Sequence, residues 1–207
     1  MNSSLTSKTL KAYLGAHRNN LIILFSGIVG LLASFVLTLD KIRLLQEADF
    51  VPACSINPVI SCMSAMSSEQ SEILGVPNSL FGIMLYMALV VVAGLMLFNV
   101  RFPRVIWKVM LLFSVLGLIF VHYLLIQSLF VLHVICPWCL SIWLTTPLLF
   151  LSLINEYAHL DSKKLTSRSG KLVEYISRNS VVIGSIWYVA FIVLVGIQFR
   201  EYWVTFL

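Results

Sequence analysis

Five stretches of this chain are apolar for far longer than a soluble core requires, and they decide the fold class before any motif is read. They run over about Leu21–Leu39, Ser79–Phe98, Val105–Gln127, Val131–Ile154 and Val181–Phe199. Each is close to the roughly 20 helical residues that cross a bilayer. None carries an acid or base at its centre; Lys108, near one end of the third, can extend its ammonium to the interface. Backbone polar groups in lipid must be paired within the segment, so the stretches are read as helices. The alternating ten-residue pattern of an outer-membrane barrel is not seen. With 59% hydrophobic and 11% charged residues, against about 25% charged in a globular domain, the chain has too few charges to cover a water-facing surface. The expectation is an all-α polytopic membrane protein: one membrane domain over residues 1–207 with five transmembrane helices. The first stretch, about 19 residues long and followed by no small-residue cleavage site, reads as a retained helix rather than a signal peptide, whose apolar core is about 7–15 residues.

The net charge of +5 is explained by topology. With the N-terminus in the cytoplasm, the inner segments hold Lys8, Lys11 and Arg18; Arg101, Arg104 and Lys108; and Lys163, Lys164, Arg168, Lys171 and Arg178. That is 11 of the 14 basic residues, leaving Lys41, Arg43 and Arg200 outside. This is the asymmetry of the positive-inside rule. Nucleic acid is not an expected partner, because no basic face with interleaved aromatics exists outside these short loops. The outer side comprises the 39-residue segment Asp40–Asn78, a turn around Ser128–Phe130, and the tail from Arg200; residues 155–180 form an inner connection read as solvated. Trp107, Trp187, Tyr202 and Trp203 near span ends fit an aromatic belt.

All four cysteines then fall on or near the outer face. Cys54 and Cys62 lie in the long loop, and Cys136-Pro137-Trp138-Cys139 opens the fourth span. An exported face permits disulfides, and two pairs including a C-x-x-C point to thiol–disulfide exchange. The C-x-x-C begins a helix, where free N–H groups and the dipole favour a thiolate, and Pro137 suits a first turn. Two structural disulfides and a four-thiolate zinc site are the alternatives; the apolar flanks Val134-Ile135 and Leu140-Ser141-Ile142 disfavour a zinc knuckle. After Cys62, the residues Met63, Met66, Ile73 and Leu74 recur near helical spacing, which predicts a short interfacial helix ended by Gly75-Val76-Pro77 and lying as a lid over the bundle. Ser55 and Ser61 read as turn residues, Thr145 and Thr146 as bonding to their own helix, Pro147 as a helix break, His122 as a satisfied core histidine, and His133 as an interfacial one.

Cys54-x7-Cys62, Pro77-Asn78-Ser79-Leu80-Phe81-Gly82 opening the second span, and Cys136-Pro137-Trp138-Cys139 opening the fourth together resemble the vitamin K epoxide reductase family, in its bacterial form. The resemblance covers about Leu21–Ile154. It implies four helices bundled around a quinone pocket, Cys54 exchanging with a partner, Cys62 attacking Cys136, and Cys139 passing electrons to the quinone, ubiquinone or menaquinone. It further implies Asn78 as donor to a quinone carbonyl and Phe81 in the same pocket. Trp143, four residues after Cys139, stands where vitamin K-reducing members tend to carry tyrosine, and Met66 faces the pocket from the lid. The fifth span is similar to that of bacterial members, where it leads to a fused thioredoxin-like domain. With Leu207 the last residue, the expected partner is a separate exported thioredoxin-fold (DsbA-like) protein. The resemblance implies no metal cofactor and places the chain in the bacterial inner membrane, in contact with lipid. The alternatives are a vitamin K epoxide reductase of an ER membrane and a non-catalytic scaffold with disulfide-stapled loops.

Overall fold

The computed structural model describes residues 17–47, 49–73, 75–161, 168–200 and 202. Lys8, Lys11, Leu74, Lys163, Lys164 and Trp203, named above, lie outside them. Five helices are long and apolar enough to cross a membrane, and they account for all five stretches. In chain order the elements are α1 (Arg18–Gln46), α2 (Cys62–Met66), a 3-10 turn (Glu69–Ser71), β1 (Glu72–Ile73), β2 (Val76–Pro77), α3 (Asn78–Leu97), α4 (Arg104–Ile126, prolonged by π-helical Gln127–Leu132), α5 (Pro137–Asp161), α6 (Arg168–Arg178) and α7 (Ser180–Gln198). The chain is an all-α polytopic membrane protein.

The boundaries differ from the sequence reading in three places. α1 continues past Leu39 to Gln46. Its 29 residues span about 43 Å at 1.5 Å per residue, so its last two turns stand beyond an apolar core about 30 Å thick. The reversal between the third and fourth spans falls at His133–Cys136 rather than Ser128–Phe130. α4 runs on through a π-helical turn, His133 takes a left-handed φ of 55°, and Pro137, which lacks an N–H, sets the start of α5. Within the connection between the fourth and fifth spans, Arg168–Arg178 is an amphipathic helix. Leu172 and Tyr175 are exposed on it beside Lys171 and Arg178.

Helix packing is set by small residues, since lipid supplies no hydrophobic drive for apolar helices to associate. α1 is the central element, packed on α3 and α5. A Cβ on Gly30 would stand 2.5 Å from the Tyr86 ring, and one on Gly82 would collide with the Ser34 hydroxyl. These two glycines let α1 and α3 approach until Thr38 Oγ1 donates to Ser79 Oγ at 2.8 Å. Trp107 is buried among Ile23, Leu149 and Leu153 rather than facing lipid as a belt residue.

α7 joins the bundle through aromatic and polar contacts. Trp187 Nε1 donates to His122 Nε2 at 2.7 Å, and His122 Nδ1 lies 2.7 Å from the Leu118 carbonyl. One nitrogen accepts and the other donates, so the imidazole is the neutral Nδ1–H tautomer, satisfied as a core histidine. The Tyr188 hydroxyl donates to the Leu144 carbonyl at 2.5 Å, within the turn that Pro147 loosens by removing an N–H.

Candidate redox site

The loop carrying Cys54 and Cys62 is shaped by short-range polar contacts. Asn57 Oδ1 accepts from the N–H groups of Val59 at 3.0 Å and Ile60 at 2.7 Å, an Asx turn. Its Nδ2 donates to the Tyr202 hydroxyl at 2.8 Å. Ser61 caps α2 by accepting from Ser64 N at 3.2 Å. Ser55 Oγ accepts from Met63 N at 3.0 Å. Both serines thus act at the turns that place the cysteines.

A backbone pairing fixes how this loop meets the C-x-x-C. Ile60 and Ile135 form a parallel bridge: Ile135 N donates to Val59 O at 2.7 Å and Ser61 N to Ile135 O at 3.1 Å. Cys62 and Cys136 follow directly on the two sides. Cys54 and Cys62 are joined as a disulfide, while Cys136 and Cys139 are free thiols. Cys62 and Cys136 are both fully buried, and their sulfurs lie 3.4 Å apart, within the 3–3.5 Å of reacting atoms poised for attack. The Cys136 thiol is held below the ordinary cysteine range, first by a hydrogen bond from the Cys139 side chain. The backbone N–H groups of Cys139 and Trp138 add to this, outweighing burial and the nearby Asp40 charge. Cys139 N lies 3.4 Å from Cys136 Sγ. These are the donors of a helix start, as the position of the motif implied.

Cys139 is half-buried and forms part of the wall of a cavity of about 400 Å³ enclosed by α1, α3, α4 and α5. Ligand sites commonly measure about 300–1,000 Å³. Asn78, Phe81, Trp143 and Met66 all line it. α3 and α4 contribute apolar side chains along its length, among them Leu89, Val92, Phe113 and Phe120. Trp143 is buried and braced from outside the cavity: its ring meets Phe191 edge-on with centroids 6.4 Å apart. Phe191 stacks on Trp187 at 5.3 Å.

Over the cysteine-bearing end of the cavity lies a lid that differs from the expected single helix. α2 has only five residues; the 3-10 turn follows, and then a two-stranded hairpin pairing Glu72 with Pro77 and Ile73 with Val76. The expected helix stops short at Met66, where the Ser68 hydroxyl donates to the Ala65 carbonyl at 2.8 Å; Gly75, at φ +72°, turns the hairpin that follows. Ile73 is exposed. Asn78 does not cap α3, a position held by Pro77. Its Nδ2 donates to Gln70 O at 2.7 Å and its Oδ1 accepts from Ile73 N at 3.1 Å, so the side chain clasps the lid. An amide has two N–H donors, which leaves one for the cavity.

Two polar cavity residues were missed in the sequence. Tyr86 lies four residues beyond Gly82 and eight beyond Asn78 on one face of α3, and that spacing was the available signal. Its hydroxyl lies 3.1 Å from Thr146 Oγ1, while Thr145 and Thr146 also donate to their own helix at 2.8 and 2.7 Å. Lys41, counted only as an outside base, reaches Glu72 Oε1 at 2.8 Å and the Met66 carbonyl at 2.6 Å. Nothing local in the sequence announces that pairing. No cluster of three or more histidine, cysteine, aspartate or glutamate residues that could hold a metal occurs among the described residues.

The site therefore holds one disulfide, a free thiol in contact range of it, and a second free thiol that borders an apolar cavity. Comparison with known proteins agrees with this chemistry. No curated protein matches the chain. The family model described as the vitamin K epoxide reductase family matches residues 21–154, which takes in the first four spans, the lid and all four cysteines, and the chain belongs to that family of membrane oxidoreductases.

Proposed function

We propose that the protein is a quinone-dependent thiol–disulfide oxidoreductase that makes disulfides in a separate exported thioredoxin-fold (DsbA-like) protein. One observation carries the reading: the four sulfurs form a line from a half-exposed loop to an apolar cavity, with 3.4 Å between the two central ones. A thiolate of the partner attacks Cys54, forming a mixed disulfide and releasing Cys62. The partner's second thiol resolves this bond, so the partner leaves oxidised and Cys54 and Cys62 are left as thiols. Cys62 as thiolate then attacks Cys136 of the inner disulfide, breaking it and releasing Cys139. Cys54 resolves the Cys62–Cys136 bond, which restores the outer disulfide and leaves Cys136 and Cys139 reduced. That distribution of one disulfide and two thiols is the one seen here.

The cavity fits a quinone on its own terms. It is apolar, it has aromatic walls in Phe81 and Trp143, and it carries a few donors, including the spare amide hydrogen of Asn78. A flat ring with two carbonyl acceptors requires this combination. A bound quinone would supply a two-electron sink. Cys136 and Cys139 give up two electrons as their disulfide forms, and two protons pass to the ring oxygens from the thiols and from water. Met66 and the lid keep bulk water from the exchanging sulfurs, and Trp143 presents an aromatic wall beside Cys139. The bias of basic residues supports an orientation with the cysteines on the outer side, which in a bacterial form of the family is the outer side of the inner membrane.

The test uses the full chain purified with ubiquinone and supplied with a reduced thioredoxin-fold protein. Cys139→Ala is expected to lower quinone reduction by roughly 10³-fold or more, the scale of losing a covalent catalytic group. Substantial remaining turnover would remove Cys139 from the path.

A further inference from the structure

Lys41 is the one side chain with a formal charge among the described residues lining the cavity. It is there because α1 runs past the bilayer core and carries it under the lid, with only 13% of its side chain exposed. An ammonium has three donors. One goes to Glu72 Oε1 at 2.8 Å and one to the Met66 carbonyl at 2.6 Å. Those two bonds hold the head group at the mouth of the cavity and leave the third donor for an occupant.

Resting on the quinone reading above, we propose that Lys41 is the cationic donor of the site, binding one ring oxygen of the acceptor at the cysteine-bearing end. The electrostatics favour this role. A ring oxygen gains negative charge as the electron pair arrives from the thiols. A fixed ammonium beside it, in an apolar cavity, stabilises that charge without reorganising. Glu72 and the Met66 carbonyl keep the charge partnered while the cavity is empty, which an unpaired buried cation would not tolerate. Asn78, which clasps the lid at Gln70 and Ile73, offers a neutral donor; Lys41 adds the charged one.

Binding of a short-chain ubiquinone to the full-length protein in detergent, read by quenching of tryptophan fluorescence, tests this without turnover. Lys41→Met is expected to weaken binding by about tenfold or more, the weight of a hydrogen bond from a charged donor. Lys41→Arg keeps charge and donors and should retain most of the affinity. Glu72→Gln breaks the ion pair but leaves the ammonium; it should cost at most about threefold, the weight of a half-exposed pair. Should Lys41→Met not accumulate, Lys41→Gln, a neutral donor, gives the same comparison. Unchanged binding in the neutral variants overturns the proposal. So does an equal loss in Glu72→Gln, which would make Lys41 a latch for the lid alone. If the wild-type chain binds neither ubiquinone nor a short-chain menaquinone, the quinone reading itself falls and takes this proposal with it.

Discussion

The two cysteine pairs are built in opposite ways. Cys54 and Cys62 belong to an irregular loop whose shape comes from side-chain turns at Ser55, Asn57 and Ser61. Cys136 immediately precedes a 25-residue helix, and Cys139 lies in its first turn. In the loop pair one sulfur is half-exposed and the other fully buried; in the helix pair one is fully buried and the other borders the cavity. The buried members face each other. The environments differ in what they do to charge. Donors at the helix start and the neighbouring thiol hold Cys136 below the ordinary range, and a thiol of lowered pKa leaves more readily when its disulfide is attacked. On the proposed function this asymmetry would give the exchange a direction, with the loop pair meeting the thiol partner and the helix pair taking up the electrons.

The strongest way to break this comparison is to remove the sulfur by which the loop pair reaches the helix pair. Cys62→Ala should abolish transfer to the inner pair; given the partner in its disulfide form, the Cys54 thiolate opens that bond, releases one partner thiol and stays joined to the other sulfur, seen as a mixed disulfide on a non-reducing gel. If no adduct forms, the order of the loop cysteines is wrong. A smaller effect sharpens the electrostatic half. The reduced wild-type protein should show Cys136 thiolate absorbance persisting below the ordinary thiol pKa of about 8.5 and lost only as pH falls further. Cys139→Ala removes the first cause of the lowering, so the titration should move upward; an unmoved curve would assign the effect to the backbone donors. The smallest expected change is in the loop's scaffold. Ser61→Ala removes the cap of α2 and should cost about 1 kcal/mol, measured as a lower thermal midpoint with all four cysteines retained.

Much of this architecture is written in local pattern. Five helices follow from five apolar runs, and a helix start at Cys136–Cys139 follows from the proline between them. The cavity residues Asn78, Phe81 and Trp143 follow from a family motif. What escaped reading depends on contacts between distant segments. The pairing of Ile60 with Ile135 leaves no periodic trace. The lid has mixed apolar spacing that also suits a helix, but α2 stops at Met66 and the chain is a strand by Glu72. Lys41 looked like a minor exception to the charge rule because its partners, Glu72 and the Met66 carbonyl, are 31 and 25 residues away. Tyr86 has a legible face but no legible purpose until Gly30 shows the room made for its ring.

The short parallel bridge between Ile60 and Ile135 has a consequence for how such a molecule can vary. The backbone bonds that join the two cysteine-bearing segments run between residues 59–61 and Ile135. Residues 49–51 and 53 sit outside that frame, while Ser55, Ile56 and Asn57 brace it. Changes at the outlying positions would recontour the exposed face of the loop and leave the gap between Cys62 and Cys136 as it is. The interior thus keeps a constant gauge, and the exterior is a fitting that can be exchanged without resetting it.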